Sequence, residues 1–145
     1  MNYDRIDVRD ILESVSQGKT YFYFRLGFYN SGRCSSYITI KEVELEITPE
    51  IIKDIEEHNG SGNIKIYRKG ESNDKNNYLT FLRVYDYKIV EYISETEEEA
   101  IEYWNSIIHE NIDFQRSLFE KKEKMLKNKL IKKGELKSPQ ILIYV

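Results

Sequence analysis

The chain has 145 residues, 40% hydrophobic, 13% aromatic and 32% charged, with a net charge of −3. That composition supplies a core for one α+β domain of ordinary size and excludes a disordered chain, which needs low hydrophobicity together with high net charge. No run of about 18 apolar residues occurs, so no membrane-spanning helix is expected, and the acid-bearing residues Met1 to Asp10 do not read as a secretory leader.

Cys34 is the single cysteine, so no intrachain disulfide is possible, and a reducing, cytoplasmic compartment is expected. Abundant Tyr, Ile, Lys, Glu and Asn beside scarce Pro, Ala and Met point to an AT-rich bacterial, archaeal or viral genome.

Val8, Ile11, Leu12 and Val15 recur at helical spacing and predict a first helix, capped by Asp4 or Asp7 and ended by Gly18. Thr20 to Tyr29 reads as a strand with Phe22, Phe24, Leu26 and Phe28 on one face. Tyr21, Tyr23, Arg25 and Tyr29 form its other face, polar-tipped and expected to be half covered. Asn30 to Ser36 is a hairpin loop. In the next strand, Tyr37 to Thr48, the apolar phase slips from even to odd positions, which predicts a β-bulge near Lys41 and Glu42.

Thr48-Pro49-Glu50 opens a second helix with Ile51, Ile52 and Ile55 inward, and Asn59-Gly60 ends it. Strands follow at Asn63 to Arg68, Tyr78 to Tyr85 and Lys88 to Ser94, with an exposed loop from Lys69 to Asn77 and a tight turn near Asp86. Thr96 and Glu99 have capping-box spacing. Helical periodicity then runs from Glu97 to Lys133, and residues 139 to 145 read as a terminal strand. The expected fold is a mainly antiparallel sheet of five to six strands, with helices packed on one face and a long C-terminal helix. One domain is expected, with residues 1–95 as its sheet-rich body.

A helix from Glu97 to Lys133 would be roughly 55 Å long, against about 38 Å for the breadth of a compact domain of this size. Two resolutions follow: a break near His109 to Asp113, or a second half that projects. Leu118, Phe119, Met125, Leu126 and Leu130 form an apolar stripe on that half that requires cover, from the chain's own sheet or from a second copy in a homodimer. Charge is sorted along the same stretch. Glu91 to Asp113 holds eight acids and no Lys or Arg, and Arg116 to Lys137 holds nine bases and three acids. The helix dipole favours that order, and Glu120 with Lys124 and Glu123 with Lys127 fit i,i+4 pairs.

Gly18-Lys19-Thr20 lacks the upstream glycine of a phosphate-binding loop, since residue 13 is Glu. His58, His109 and Cys34 are scattered, so neither a metal site nor a cofactor is expected, and no family signature marks Cys34 or a nearby serine as a nucleophile. Ser94 to Asn105, SETEEEAIEYWN, resembles a strand-to-helix segment of the restriction-alleviation zinc ribbons found in phages and mobile elements. The resemblance covers a dozen residues and implies no function, because those ribbons need cysteines that this chain lacks.

Two functional expectations remain. The first is a non-enzymatic protein that binds and inhibits another macromolecule, as immunity proteins, antitoxins and anti-CRISPR or other phage anti-defence proteins do. An acidic surface suits a basic, nucleic-acid-binding protein partner, with Glu42, Glu44, Glu46, Glu56, Glu57, Glu97, Glu98 and Glu99 as candidates. The alternative is a nucleotide or small-molecule binder, or an enzyme, using Tyr23, Arg25, Arg68, Arg83 and Tyr85, because guanidinium planes and phenol rings hold phosphates and stack bases. Direct nucleic-acid binding is not expected of a chain with pI near 5.5.

Overall fold

The computed structural model describes residues 5–135; Asp4 and the expected strand at 139–145 lie outside them. The chain divides into two compact units, Met1–Asn111 and Ile112–Val145, and each is taken by itself.

In the first unit, α1 (Val8–Ser16) starts where Asp7 accepts the Arg9 N–H, and it buries Val8 and Ile11. Six strands follow: β1 (Tyr21–Phe28), β2 (Cys34–Leu45), β3 (Gly62–Arg68), β4 (Thr80–Tyr85), β5 (Lys88–Ile89) and β6 (Tyr92–Ser94). Helix α2 (Pro49–Glu57) stands between β2 and β3, capped by Thr48 with Pro49 in its first turn. Every strand pairing is antiparallel, in the order β5-β4-β3-β2-β1-β6.

That order forces the sheet to curl. Its two edge strands, β5 and β6, are separated only by Val90 and Glu91. Laid flat, six strands would hold those edges about 24 Å apart, whereas three Cα steps span at most about 11 Å. The sheet therefore curls so that its edges come close at that link. The Val90 N–H donates to the Arg83 carbonyl at 3.0 Å, continuing the β4–β5 pairing into the link. Arg25 of β1 donates from Nη2 to Thr80 Oγ1 of β4 at 3.1 Å, although the two strands are three places apart.

The concave face of this barrel-like sheet is the main core. Tyr21, Tyr23, Val43, Ile64, Ile66, Leu82, Val84 and Ile89 fill it, with Val8 and Ile11 of α1 and Ile55 of α2. Tyr21 and Tyr23 are 0% exposed. The half-covered, polar-tipped face expected for β1 is corrected in part: curling turns Tyr21 and Tyr23 inward, while Arg25 is half-buried and Tyr29 stays exposed.

The alternate residues of β1 point outward. Phe24 and Leu26 pack with Ala100 of α3 (Glu97–Lys127), joined by Phe22, Phe28, Tyr103, Trp104 and Ile107. Phe24 stacks on Tyr92 at 5.0 Å and meets Trp104 edge-on at 5.3 Å, geometries that add to simple area burial. The helices expected in one layer are thus divided, with α1 and α2 on the inner cluster and the start of α3 on the outer one.

The bulge lies slightly earlier than expected. Tyr23 pairs with Lys41 and Arg25 with Ile38, so Thr39 and Ile40 together oppose Phe24. Ile38 joins the inner cluster and Ile40 the outer one, which is the phase slip visible in the sequence. The β4–β5 turn is Asp86-Tyr87, both with positive φ, as a two-residue primed hairpin requires.

Helix α3 starts with the Glu99 N–H on Thr96 Oγ1 at 3.2 Å. It runs unbroken through His109 to Asp113 and ends at Lys127, short of Lys133. In the second unit, Lys127 pairs with Glu123 at 2.8 Å and Arg116 with Asp113 at 3.9 Å.

Candidate functional site

A groove of about 770 Å³ opens on the first unit where α1 passes the end of β2 and the start of α2, within the roughly 300–1,000 Å³ usual for ligand pockets. Its apolar floor comes from Leu12 and Val15 of α1, Leu45 of β2, and Ile47 and Pro49. These positions follow from local rules: Leu12 and Val15 belong to the helical stripe, and Pro49 is held at the helix start behind its Thr48 cap. Polar groups form the rim. Glu13 and Arg9 come from α1, Lys19 from the turn after it, Glu44 and Glu46 from the β2 end, Tyr67 from β3, and Lys75 from the loop after β3.

The rim cations each have a carboxylate. Arg9 pairs with Asp7 at 2.7 Å and lies 3.8 Å from the centre of the Tyr87 ring. Lys19 pairs with Glu95 at 3.2 Å. Lys75 lies 4.0 Å from Glu46 and sits over the Tyr67 ring. Tyr67, 1% exposed, donates its hydroxyl to Glu46 at 3.1 Å; burial, then that carboxylate, pushes its phenol pKa upward.

Glu44 is served less well. Its Oε1 accepts the Gly70 N–H at 3.5 Å, and its Oε2, out of contact with solvent, has no hydrogen-bond partner among the described residues. Glu13 has no ion-pair partner among the described residues.

The expected acidic surface lies on three elements. Glu42 and Glu44 alternate along β2, and Glu46 follows its last residue. Glu42 accepts from Thr20 at 2.6 Å and pairs with Lys69 at 3.2 Å, and these two contacts, the hydroxyl foremost, lower its pKa. Glu56 and Glu57 end α2, and Glu97, Glu98 and Glu99 open α3; all five are exposed. Among the described residues, no hydrogen bond or ion pair joins these three groups to one another.

The five Arg and Tyr residues do not all share one open face. Tyr23 is enclosed in the barrel, where burial raises its pKa with Arg25, Glu91 and Arg83 around it. A ring so enclosed cannot stack a base. Arg83 donates to Glu91 at 2.8 Å, Arg68 lies 3.8 Å from Glu71, and Arg25 reaches Thr80. Arg83 and Tyr85, alternate residues of β4, are both widely exposed, with 72% of the Arg83 side chain and 70% of Tyr85 in solvent, and Arg68 is about half exposed.

Of the apolar stripe on the second unit, Phe119, Met125, Leu126 and Leu130 are 63–74% exposed and Leu118 is half-buried. Leu130 lies beyond the end of α3.

Glu13, Tyr67, Arg9 and Lys75 had no local signal to single them out. Only the strand register, which pairs Tyr67 with Glu44, and the passage of α1 beside β2 bring them together. Among the described residues, no group of three or more His, Cys, Asp or Glu can hold a metal ion, and no helix is long and apolar enough to cross a membrane. Comparison of the chain with protein-family models, with curated proteins and with solved structures gives no match, so a functional reading rests on the groove's own chemistry.

Proposed function

We propose that this chain is a non-enzymatic binding protein that engages and inhibits a protein partner, and that the groove beside α1 is its docking surface. The observation that supports this is the pairing of an apolar floor with an ionised rim in one open concavity. The floor supplies burial of apolar area, the main driving force of association, and the rim supplies orientation and specificity. In this reading the protein acts as small immunity, antitoxin and anti-defence proteins do, by occupying a surface that its target needs.

Site-specific photo-cross-linking in cells that express the protein tests it. A photoreactive residue at Ser16 or Ser72, both on the groove, is expected to trap one protein partner that the same probe at Lys121 or Lys124 does not. Trapping only from the α3 positions would overturn the assignment of the groove.

The exposed stripe supports a separate proposal, self-association through the second half of α3. An antiparallel pair keeps the two lysine-rich ends apart and covers Phe119 and Leu126 on both copies.

A further inference from the structure

Taken as the docking surface proposed above, the groove has a charge balance that narrows what enters it. We infer that its occupant is a cationic side chain of the partner, a guanidinium or ammonium, received at Glu44 in a groove whose rim also carries Glu13. This assignment rests on that reading of the groove and adds the chemical class of the ligand.

Three bases and three acids line the groove, and their partners differ. Arg9 and Lys19 are paired with Asp7 and Glu95, two carboxylates that do not line the groove themselves. Lys75 and Glu46 serve each other, and Glu46 also takes the Tyr67 hydroxyl. What remains uncompensated is negative: the Glu13 carboxylate and Oε2 of Glu44. A phosphate or carboxylate ligand would have to compete with an existing carboxylate at every cation. An apolar ligand would leave Glu44 Oε2 unmet in an even drier setting, where a carboxylate oxygen without a donor is disfavoured.

An N–H-bearing cation satisfies both demands. A change of Glu44 side-chain torsion turns Oε2 to the incoming donor and gives a charge-assisted hydrogen bond. The methylene stem of a lysine or arginine suits the floor at Leu12, Val15 and Ile47, since such side chains bury their stems along apolar surface and keep the charge at a polar wall.

The test uses the whole chain and four end-capped pentapeptides that are identical apart from the central residue: arginine, lysine, citrulline or glutamate, flanked by isoleucines. Citrulline keeps the shape of arginine and removes its charge. Titrations are followed by amide chemical shifts. The arginine and lysine peptides are expected to move the amides of Leu12, Val15, Ile47 and Tyr67. Arginine is expected to bind about tenfold tighter than citrulline, the worth of one charge-assisted hydrogen bond. Glu44→Gln and, independently, the exposed helix variant Glu13→Gln are each expected to narrow that gap, with the amide spectrum confirming the fold.

Citrulline or glutamate binding in the groove as tightly as arginine would overturn the cation assignment and leave the docking surface standing. Groove amides silent to all four peptides would overturn the cation assignment, and, with no cross-link from Ser16 or Ser72, the docking surface as well.

Discussion

The carboxylate of Asp7 caps α1 through the Arg9 N–H at 2.9 Å, pairs with the Arg9 guanidinium, and lies 3.5 Å from Lys88 Nζ. It is 7% exposed, and these contacts, the Arg9 side chain foremost, lower its pKa from 3.8 to about 2. A pKa lowered by folding contributes stability above the unfolded value and loses it as pH falls through the folded one. The contribution is about 2 kcal/mol at most, because half of the Arg9 side chain stays in water. Asp7→Asn is expected to lower stability by about 1–2 kcal/mol near neutral pH, with the difference fading between about pH 4 and pH 2. Urea denaturation of both proteins across that range checks this, and a gap that persists at the acid end would contradict it. The cap was legible in the sequence, as one of two candidate acids before an apolar periodic run. The ion pair with Lys88 was not, because it depends on the hairpin that carries Lys88 alongside the start of α1.

Elements were read most securely where periodicity is local. Val8 to Val15, Thr48-Pro49 and Thr96 to Glu99 each specify a helix start within one turn, and all three helices begin where expected. The β2 bulge was legible as a phase slip, and register places it at Thr39 and Ile40. Gly60 shows what local reading leaves out. As a helix stop it needs only its positive φ of 83°. In the fold, a Cβ there would also lie 2.9 Å from the Tyr87 ring of the β4–β5 turn. Gly60→Ala is therefore expected to cost about 1–3 kcal/mol, from backbone strain and the clash together, read as a lowered thermal midpoint. An unchanged midpoint would show that the turn shifts freely. The long helix ends before Lys133: past Lys127 comes Asn128, a weak helix former, and the backbone bonds tighten to Lys129 N–H on Leu126 and Leu130 N–H on Lys127.

For the whole molecule, the proposed self-association makes the clearest prediction. Light scattering at working concentrations is expected to give a dimer mass, and Phe119→Glu with Leu126→Glu a monomer mass, with the fold unchanged because both side chains are about two-thirds exposed. A monomer mass for the unaltered chain would end the proposal. The sequence by itself determined the α+β class, the helix starts, the first four strands and the bulge, since each depends on the spacing and type of residues close along the chain; Lys88 to Ser94, expected as one strand, is divided into β5 and β6 because its first part pairs with β4 and its last part with β1. Tertiary structure alone decided that the sheet curls, that Tyr21 and Tyr23 turn inward, and that Glu13 and Glu44 share one groove. The physical reason is that curling follows from which strands become edges and how short the link between them is, and charge compensation depends on neighbours far away in sequence, neither of which leaves a local pattern to read.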